Sequence, residues 1–452
     1  MIRSNRLAPS SPLVITRLLA GVTGVLLFGS ALWAADKSTT GANFALAQSN
    51  DPEVLSGLPT MRGAEPKEAV DEVVLKLKEL NPGFDGKVRY RAEGGAVTEI
   101  RVVTDRVTDI SPLRAFDALQ VLDCSGTHVN WARGNGQLAD LAPLKGMKLA
   151  GLTALDLSFT KVGDAGMVHF KDCKKLTSLA LAVTPVTDAG VAHFADNKGL
   201  TSLKLARTKV TDAGLAHFRD CKGLMVLDAS YTRVSDAGLA HFKDCKGLTF
   251  LHLSGTKVGD VGLAHFKDCK DLTTLFLSNT KVSDAGLGHF KGCQNLAVLW
   301  LSGAKVGDAG LANFEDCKYL TTLHLSGSNV SDAGIAYLKD CRALKTLHLT
   351  DAKVGDAGLA HLKDCKALTA VSVSGTQVSD LSLLKGNKLT VLHCQGAKVT
   401  DLSPLKEMPL KELRCDFKFE QDAEILRSIK TLETINQKPA AQFWKEVEAR
   451  KP

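Results

Sequence analysis

Three side-chain types able to do chemistry recur along this chain at one fixed interval of 24 residues. Thiols stand at Cys173, Cys221, Cys245, Cys269, Cys293, Cys317, Cys341 and Cys365. Imidazoles stand at His169, His193, His217, His241, His265, His289 and His361, and carboxylates at Asp164, Asp188, Asp212, Asp236, Asp260, Asp284, Asp308, Asp332 and Asp356. Such ladders could form disulfides, catch zinc or nickel, or hold calcium. Calcium takes six to eight oxygens, and each copy here offers one carboxylate with no second acid beside it. The aspartates are therefore read as helix-capping residues, accepting from free amides at a helix N-terminus and facing its positive dipole end. Cysteines one copy apart are expected near or beyond the roughly 7 Å Cα limit for bridging, so buried free thiols packed as small apolar groups are expected. Asn197 fills that slot in one copy, and Asn313 and Tyr337 replace the histidine, so neither ladder reads as a ligand set. No metal and no cofactor is expected.

Catalytic motifs are missing as well. The chain holds no GxxxxGK[ST], GxSxG, HExxH or CxxC, and neither HRD nor DFG. The expectation is a protein that is not an enzyme.

The element that positions these residues is the repeat itself. One copy, Leu200 to Gly223, reads LTSLKLARTKVTDAGLAHFRDCKG, and others begin at Leu152, Leu176, Leu224, Leu248, Leu272, Leu296, Leu320 and Leu344. Leu203 and Leu205 alternate around Lys204, the pattern of a short strand with two residues inward and one outward. Leu215, Phe218 and Cys221 then fall at a three-residue spacing, one face of a short helix. Thr160, Thr184, Thr208, Thr232, Thr256 and Thr280 stand where the chain leaves the strand, with Ala304, Ser328 and Ala352 in later copies, which fits a turn role. A period in the twenties means stacked units, none of which can bury its own apolar face alone.

The frame LxxLxLxxTxVxDxGLxxFxxC closely resembles the cysteine-containing leucine-rich repeats of F-box-type substrate receptors. Units opened by Leu368 and Leu389, ending VSDLSLLKGNK and VTDLSPLKEMP, and one at Val97 with VTDISPLRAF, resemble the shorter internalin-like bacterial repeat. Proline at the first helical position suits the tight turn that replaces the helix there. The resemblance covers Val97 to Asp416. It implies an α/β leucine-rich repeat solenoid, a horseshoe with a parallel concave sheet and short helices on the convex side.

The ends carry other signals. Residues 1–34 read as a signal peptide or uncleaved membrane anchor, with Arg3 and Arg6 before the apolar stretch Leu18 to Trp33. Residues 35–64 read as a flexible linker and 65–96 as an N-terminal cap, a helix plus strand. Residues 97–416 form the solenoid and 417–452 a C-terminal helical cap, with Asp422 to Ile435 expected as helix and Phe443-Trp444 packed back on it. An exported protein, in the periplasm, cell envelope or outside the cell, is expected. Removing Arg3, Arg6 and Arg17 brings the formal charge of +7 close to +4, and much of that is interleaved Lys-Asp, so no nucleic-acid partner is expected.

The outward strand positions run Asp156, Ala180, Lys204, Asp228, His252, Phe276, Trp300, His324, His348, Ser372 and His393. Parallel strands stand about 4.8 Å apart, so these side chains form one row. Its middle, His252, Phe276, Trp300, His324 and His348, with Phe250 and Tyr231 nearby, is expected as an exposed aromatic binding surface. The histidines would make binding sensitive to mildly acidic pH. An irregular 33-residue unit from Leu119 to Leu152 adds Trp131 and Arg133 in a Gly-rich bulge, a second candidate contact overhanging the concave face. The expected function is protein binding through the concave face by a monomer. The alternatives are a carbohydrate or cell-wall ligand stacked on the same rings, and a passive envelope scaffold.

Overall fold

The computed structural model describes residues 65–129 and 133–449. The segments read as signal or anchor and as linker lie outside the described residues, as does Trp131. No helix among the described residues is long and apolar enough to cross a membrane.

The described chain begins with a helix, Pro66–Leu80, whose first position is proline and which buries Ala69, Val70, Val73 and Leu77. Asn81 ends it and staples it to the first coil. Its Nδ2 donates to Leu77 O (2.9 Å) and Asp109 O (2.8 Å), while its Oδ1 accepts from the amides of Thr108 and Asp109. A hairpin follows, strands Val88–Glu93 and Ala96–Val102, turned by Gly94 and Gly95 at φ 59° and 78°. From there each coil adds one short parallel strand, building a 17-stranded sheet that ends at Glu412–Arg414 and the small hairpin Thr434–Ile435 and Lys438–Pro439.

Within a coil the sequence pattern is realised closely. In the Leu200 copy the strand is Ser202–Lys204, followed by one helical turn at Asp212–Leu215 and a 3-10 turn at Ala216–Phe218. Leu200, Leu203, Leu205, Val210, Leu215, Phe218 and Cys221 are all buried in one continuous core. Each such Leu or Phe contributes about 1.5–3 kcal/mol on burial, and the burial comes from neighbouring coils, so no coil is stable without its neighbours. Thr208 Oγ1 donates to Leu205 O at 2.7 Å, and the other threonines of the slot do the same, closing the exit from the strand. In the shorter units the helical turn is a 3-10 turn, as at Ser111–Ala115 and Ser403–Glu407.

All eleven cysteines are free and buried. Several thiols sit one coil apart, each donating to the carbonyl of the cysteine before it: Cys245 to Cys221 O at 3.2 Å, Cys269 to Cys245 O at 3.2 Å, Cys317 to Cys293 O at 3.3 Å. Burial pushes the Cys245 thiol up to about 11 and that of Cys269 up to about 12, which keeps both protonated and inert at neutral pH.

The aspartate ladder differs from the expectation. None of the nine caps its own helix; each is the first helical residue and reaches into the following coil. Asp164, Asp188, Asp212, Asp236, Asp260, Asp284, Asp308 and Asp332 each accept from the amide of the residue that caps the next turn, Thr187, Thr211, Ser235, Gly259, Ser283, Gly307, Ser331 and Gly355, and Asp356 accepts from Ser379 and from the cap residue Asp380. Where that residue is Thr or Ser, its hydroxyl also donates to the carboxylate, as from Thr187 at 2.6 Å. Side-chain capping is done by such a hydroxyl at four of the turns, where Thr187, Thr211, Ser283 and Ser331 accept from the amide two residues on. The reason is geometric: a carboxylate at the first helical position has no orphan amide of its own turn in reach, but the next coil presents one.

The C-terminus also differs. The helix is Phe419–Ser428 rather than Asp422 to Ile435, because Thr434–Ile435 leaves it to extend the sheet beside Leu413. Phe443 and Trp444, on the helix Ala440–Ala449, pack on Phe417 at ring separations of 5.1 and 5.9 Å.

Candidate binding face

The central strands bring one residue each into register: His252 beside Phe276, Phe276 beside Trp300, Trp300 beside His324, and His324 beside His348. The strand interval of about 4.8 Å brings each ring into contact with the next, edge-on or tilted at the start and stacked from Trp300 onward, so the five close into one column. Ring centroids are 4.7 Å apart for His252–Phe276, 4.6 Å for Phe276–Trp300, 4.5 Å for Trp300–His324 and 4.2 Å for His324–His348. Trp300 and His324 lie nearly parallel, at 8°. Phe250 joins from the start of its strand, edge-on to Phe276 at 5.6 Å.

This stacking changes the character of the row. The rings do point away from the core, but Phe276 is only 4% exposed, enclosed by its ring neighbours rather than presented to solvent. Phe250, His252, Trp300, His324 and His348 are half-buried. From Trp300 to His348 the rings cover one another's faces. The Trp300 Nε1 is sealed without a partner. In contrast, the ring nitrogens of His324 and His348 make no hydrogen bond within the described residues and are not sealed.

The expectation of titration at mildly acidic pH is overturned for these two histidines. Burial, with each neighbouring imidazole adding to it, pulls His324 down to about 3 and His348 down to about 4. Both are neutral at pH 5.

The flanks were only partly legible. His252 Nδ1 lies 3.4 Å from Asp228 Oδ1. Burial pushes the Asp228 carboxyl up, but His252 and Ser230 outweigh it and hold it below the usual carboxylate range. At the other end His393 Nε2 meets Glu412 Oε1 at 2.9 Å, and Arg414 meets the same oxygen at 3.0 Å. Sequence reading placed His393 in the row but missed Glu412 and Arg414; the shorter 21-residue period, continued one unit further, would have found both.

Tyr231 stands apart from the column. It occupies the turn after its strand with φ 54°, lies against Gly255 and carries the Arg207 guanidinium 4.1 Å from its ring centroid. Arg133 is exposed on a small hairpin, His128–Val129 and Arg133–Gly134. That hairpin sits at the strand-exit edge, where His128 packs 4.7 Å from Phe159 and Gly134 would meet the Phe159 carbonyl if it carried a Cβ. The structure therefore brings Arg133 to the edge, away from the ring column, rather than over it. No group of three or more His, Cys, Asp or Glu among the described residues is arranged to hold a metal.

Comparison with known proteins agrees with this architecture. The Leucine Rich repeat family model matches residues 152–170, 245–266, 316–339 and 340–362. No curated protein matches the chain in sequence. Among solved structures, the functional domain of InlJ from Listeria monocytogenes, described as including a cysteine ladder, aligns at TM-score 0.53 and 18% identity over 75% of this chain and 72% of that one. A leucine-rich repeat protein of Leptospira interrogans aligns at TM-score 0.52 and 16% identity, covering 85% and 96%. An internalin from Listeria monocytogenes aligns at 0.51 and 17%, covering 82% and 94%. At these identities the likeness is one of fold.

Proposed function

We propose that this chain, a leucine-rich repeat protein by its sequence frame and its fold, is an exported, monomeric, non-enzymatic module that binds a protein partner through its concave face. The observation that carries the reading is the ring column from His252 to His348: aromatic groups held outside the core, with imidazole nitrogens at His324 and His348 that have no partner among the described residues. Aromatic side chains fixed by their neighbours lose little conformational entropy on binding, which favours them as contact anchors. Export rests on the sequence of residues 1–34 alone. A monomer is favoured by the two ends of the sheet, where an antiparallel hairpin at one end and a hairpin with its helix at the other stand beside the outermost coils.

The carbohydrate reading loses support from the same geometry. Sugars stack on open ring faces, and here Trp300 and His324 cover each other at 4.5 Å.

Capture from an extract of the source cells tests the reading. Trp300→Ala is expected to fold, with a stability loss of about 1–2 kcal/mol, since the indole lies outside the buried core. Capture of the partner should fall at least about tenfold, equivalent to roughly 1.4 kcal/mol. A folded Trp300→Ala protein that captures the same partner equally well contradicts the reading.

A further inference from the structure

The strand residues that turn outward carry no charge across five adjacent coils. In the strands Thr274–Phe276, Val298–Trp300, Thr322–His324, Thr346–His348 and Ala370–Ser372, every outward residue is Thr, Val, Ala, Ser, Phe, Trp or His. Serine or threonine follows at positions 278, 302, 326, 350 and 374. The chain is 23% charged, so composition alone would have placed several charges among these positions. On the strands themselves charge resumes with Asp228 before the panel and Glu412 and Arg414 after it, while exposed Lys345 and Asp351 stand just off the two ends of the fourth strand. His324 and His348 are neutral at neutral pH, so they do not break the pattern.

This surface limits what can cover it. A charged group pressed onto the strand rings would lose water and find no counter-charge on the strands beneath it, at a large cost. A neutral imidazole offers one donor and one acceptor, and a peptide unit offers the same complement. The ring nitrogens of His324 and His348 have no hydrogen-bond partner among the described residues and are not fully enclosed. From first to last strand the panel spans four intervals of about 4.8 Å, or roughly 19 Å, which about six extended residues cover at roughly 3.3 Å each.

Resting on the protein-binding reading above, we propose that this panel receives an extended, uncharged peptide segment of about six residues, its main-chain N–H and C=O groups paired with the ring edges of His324 and His348. The charged flanks set its limits, so charged residues of the partner fall outside the six.

The test uses a displayed library of random 12-residue peptides selected on the full chain at pH 7. Two variants accompany it, each checked for folding by its thermal melt. His324→Phe/His348→Phe keeps the ring column and removes the polar edges. Phe276→Ala/Trp300→Ala removes the aromatic base. The proposal expects enriched peptides to share a run of about six residues without Asp, Glu, Lys or Arg. It expects their affinity to fall about tenfold or more with either variant. Enrichment of runs rich in charge, or of no peptide at all, overturns it. Binding kept by the phenylalanine variant but lost by the alanine variant overturns the edge pairing and leaves the concave-face reading standing. Binding unchanged in both variants overturns both.

Discussion

Gly286→Ala is expected to cost about 3 kcal/mol of stability, far more than a glycine substitution on a helix usually costs. An added Cβ would lie 2.3 Å from Asp260 Oδ1 and 3.2 Å from Asp260 Cα. That carboxylate accepts from the Ser283 amide at 2.8 Å and from its hydroxyl at 2.5 Å, so displacing it breaks two charge-assisted hydrogen bonds between coils. The residue is the glycine of the recurrent Asp-Ala-Gly, and each copy from Gly190 to Gly358 makes room for the aspartate of the coil before it in the same way. In a stack held by nearest-neighbour interfaces, weakening one interface should also split the unfolding transition into two. Urea melts followed by circular dichroism measure both effects. Asp260→Ala should cost about 2 kcal/mol through the same bonds. The double variant should cost less than the two losses added, because alanine at 286 no longer meets a carboxylate. Strict additivity, or a loss under about 0.5 kcal/mol for Gly286→Ala, contradicts the ladder as described.

Acidification from pH 7 to pH 4.5 is expected to destabilise the fold through His324 and His348 by about 2–3 kcal/mol each. The sign follows from the direction of the shifts. Both imidazoles are depressed in the folded state, to about 3 and about 4, against an unfolded value of about 6.5. Above pH 6.5 neither state is protonated and nothing is lost. Below it the unfolded chain takes up protons that the folded chain refuses, so stability falls steadily until the folded values are reached. His393, which faces His348 across Ser372, is also depressed by burial, although Glu412 opposes the shift. Asp228 and Glu412, held below their ordinary range, add their own loss only at lower pH, as the folded carboxylates protonate. Urea melts at the two pH values should show this loss in the wild type and a much smaller one in His324→Phe/His348→Phe. Equal acid sensitivity in both proteins contradicts the buried, neutral imidazoles.

The repeat was legible because its apolar residues do one job in every copy. Leu203, Leu205, Phe218 and Cys221 fall in the core where their spacing places them. Positions that act between coils were harder to read. Asp260 was taken to serve its own helix, yet its partner is Ser283 in the following coil, and that relation appears only when two copies are laid side by side at the coil interval. The same applies to Phe276. Strand alternation correctly turned it away from the core, but not showing that a ring on each adjacent strand would enclose it. For His324 and His348 the mild-acid expectation gives way for that reason too, since burial among the rings removes the water that sets an ordinary imidazole's affinity for protons. At the C-terminus, Thr434–Ile435 continues the sheet instead of the helix because the last parallel strand offers it an open edge.

Hydrogen–deuterium exchange on the complex with a captured partner would locate the binding face directly. The concave account expects slowed exchange in the strands from Phe250–His252 to Thr346–His348 and in the serine turns that follow them, with the convex turns such as Asp260–Leu263 unchanged. Protection confined to the convex turns, or to the hairpin around Arg133, would contradict it.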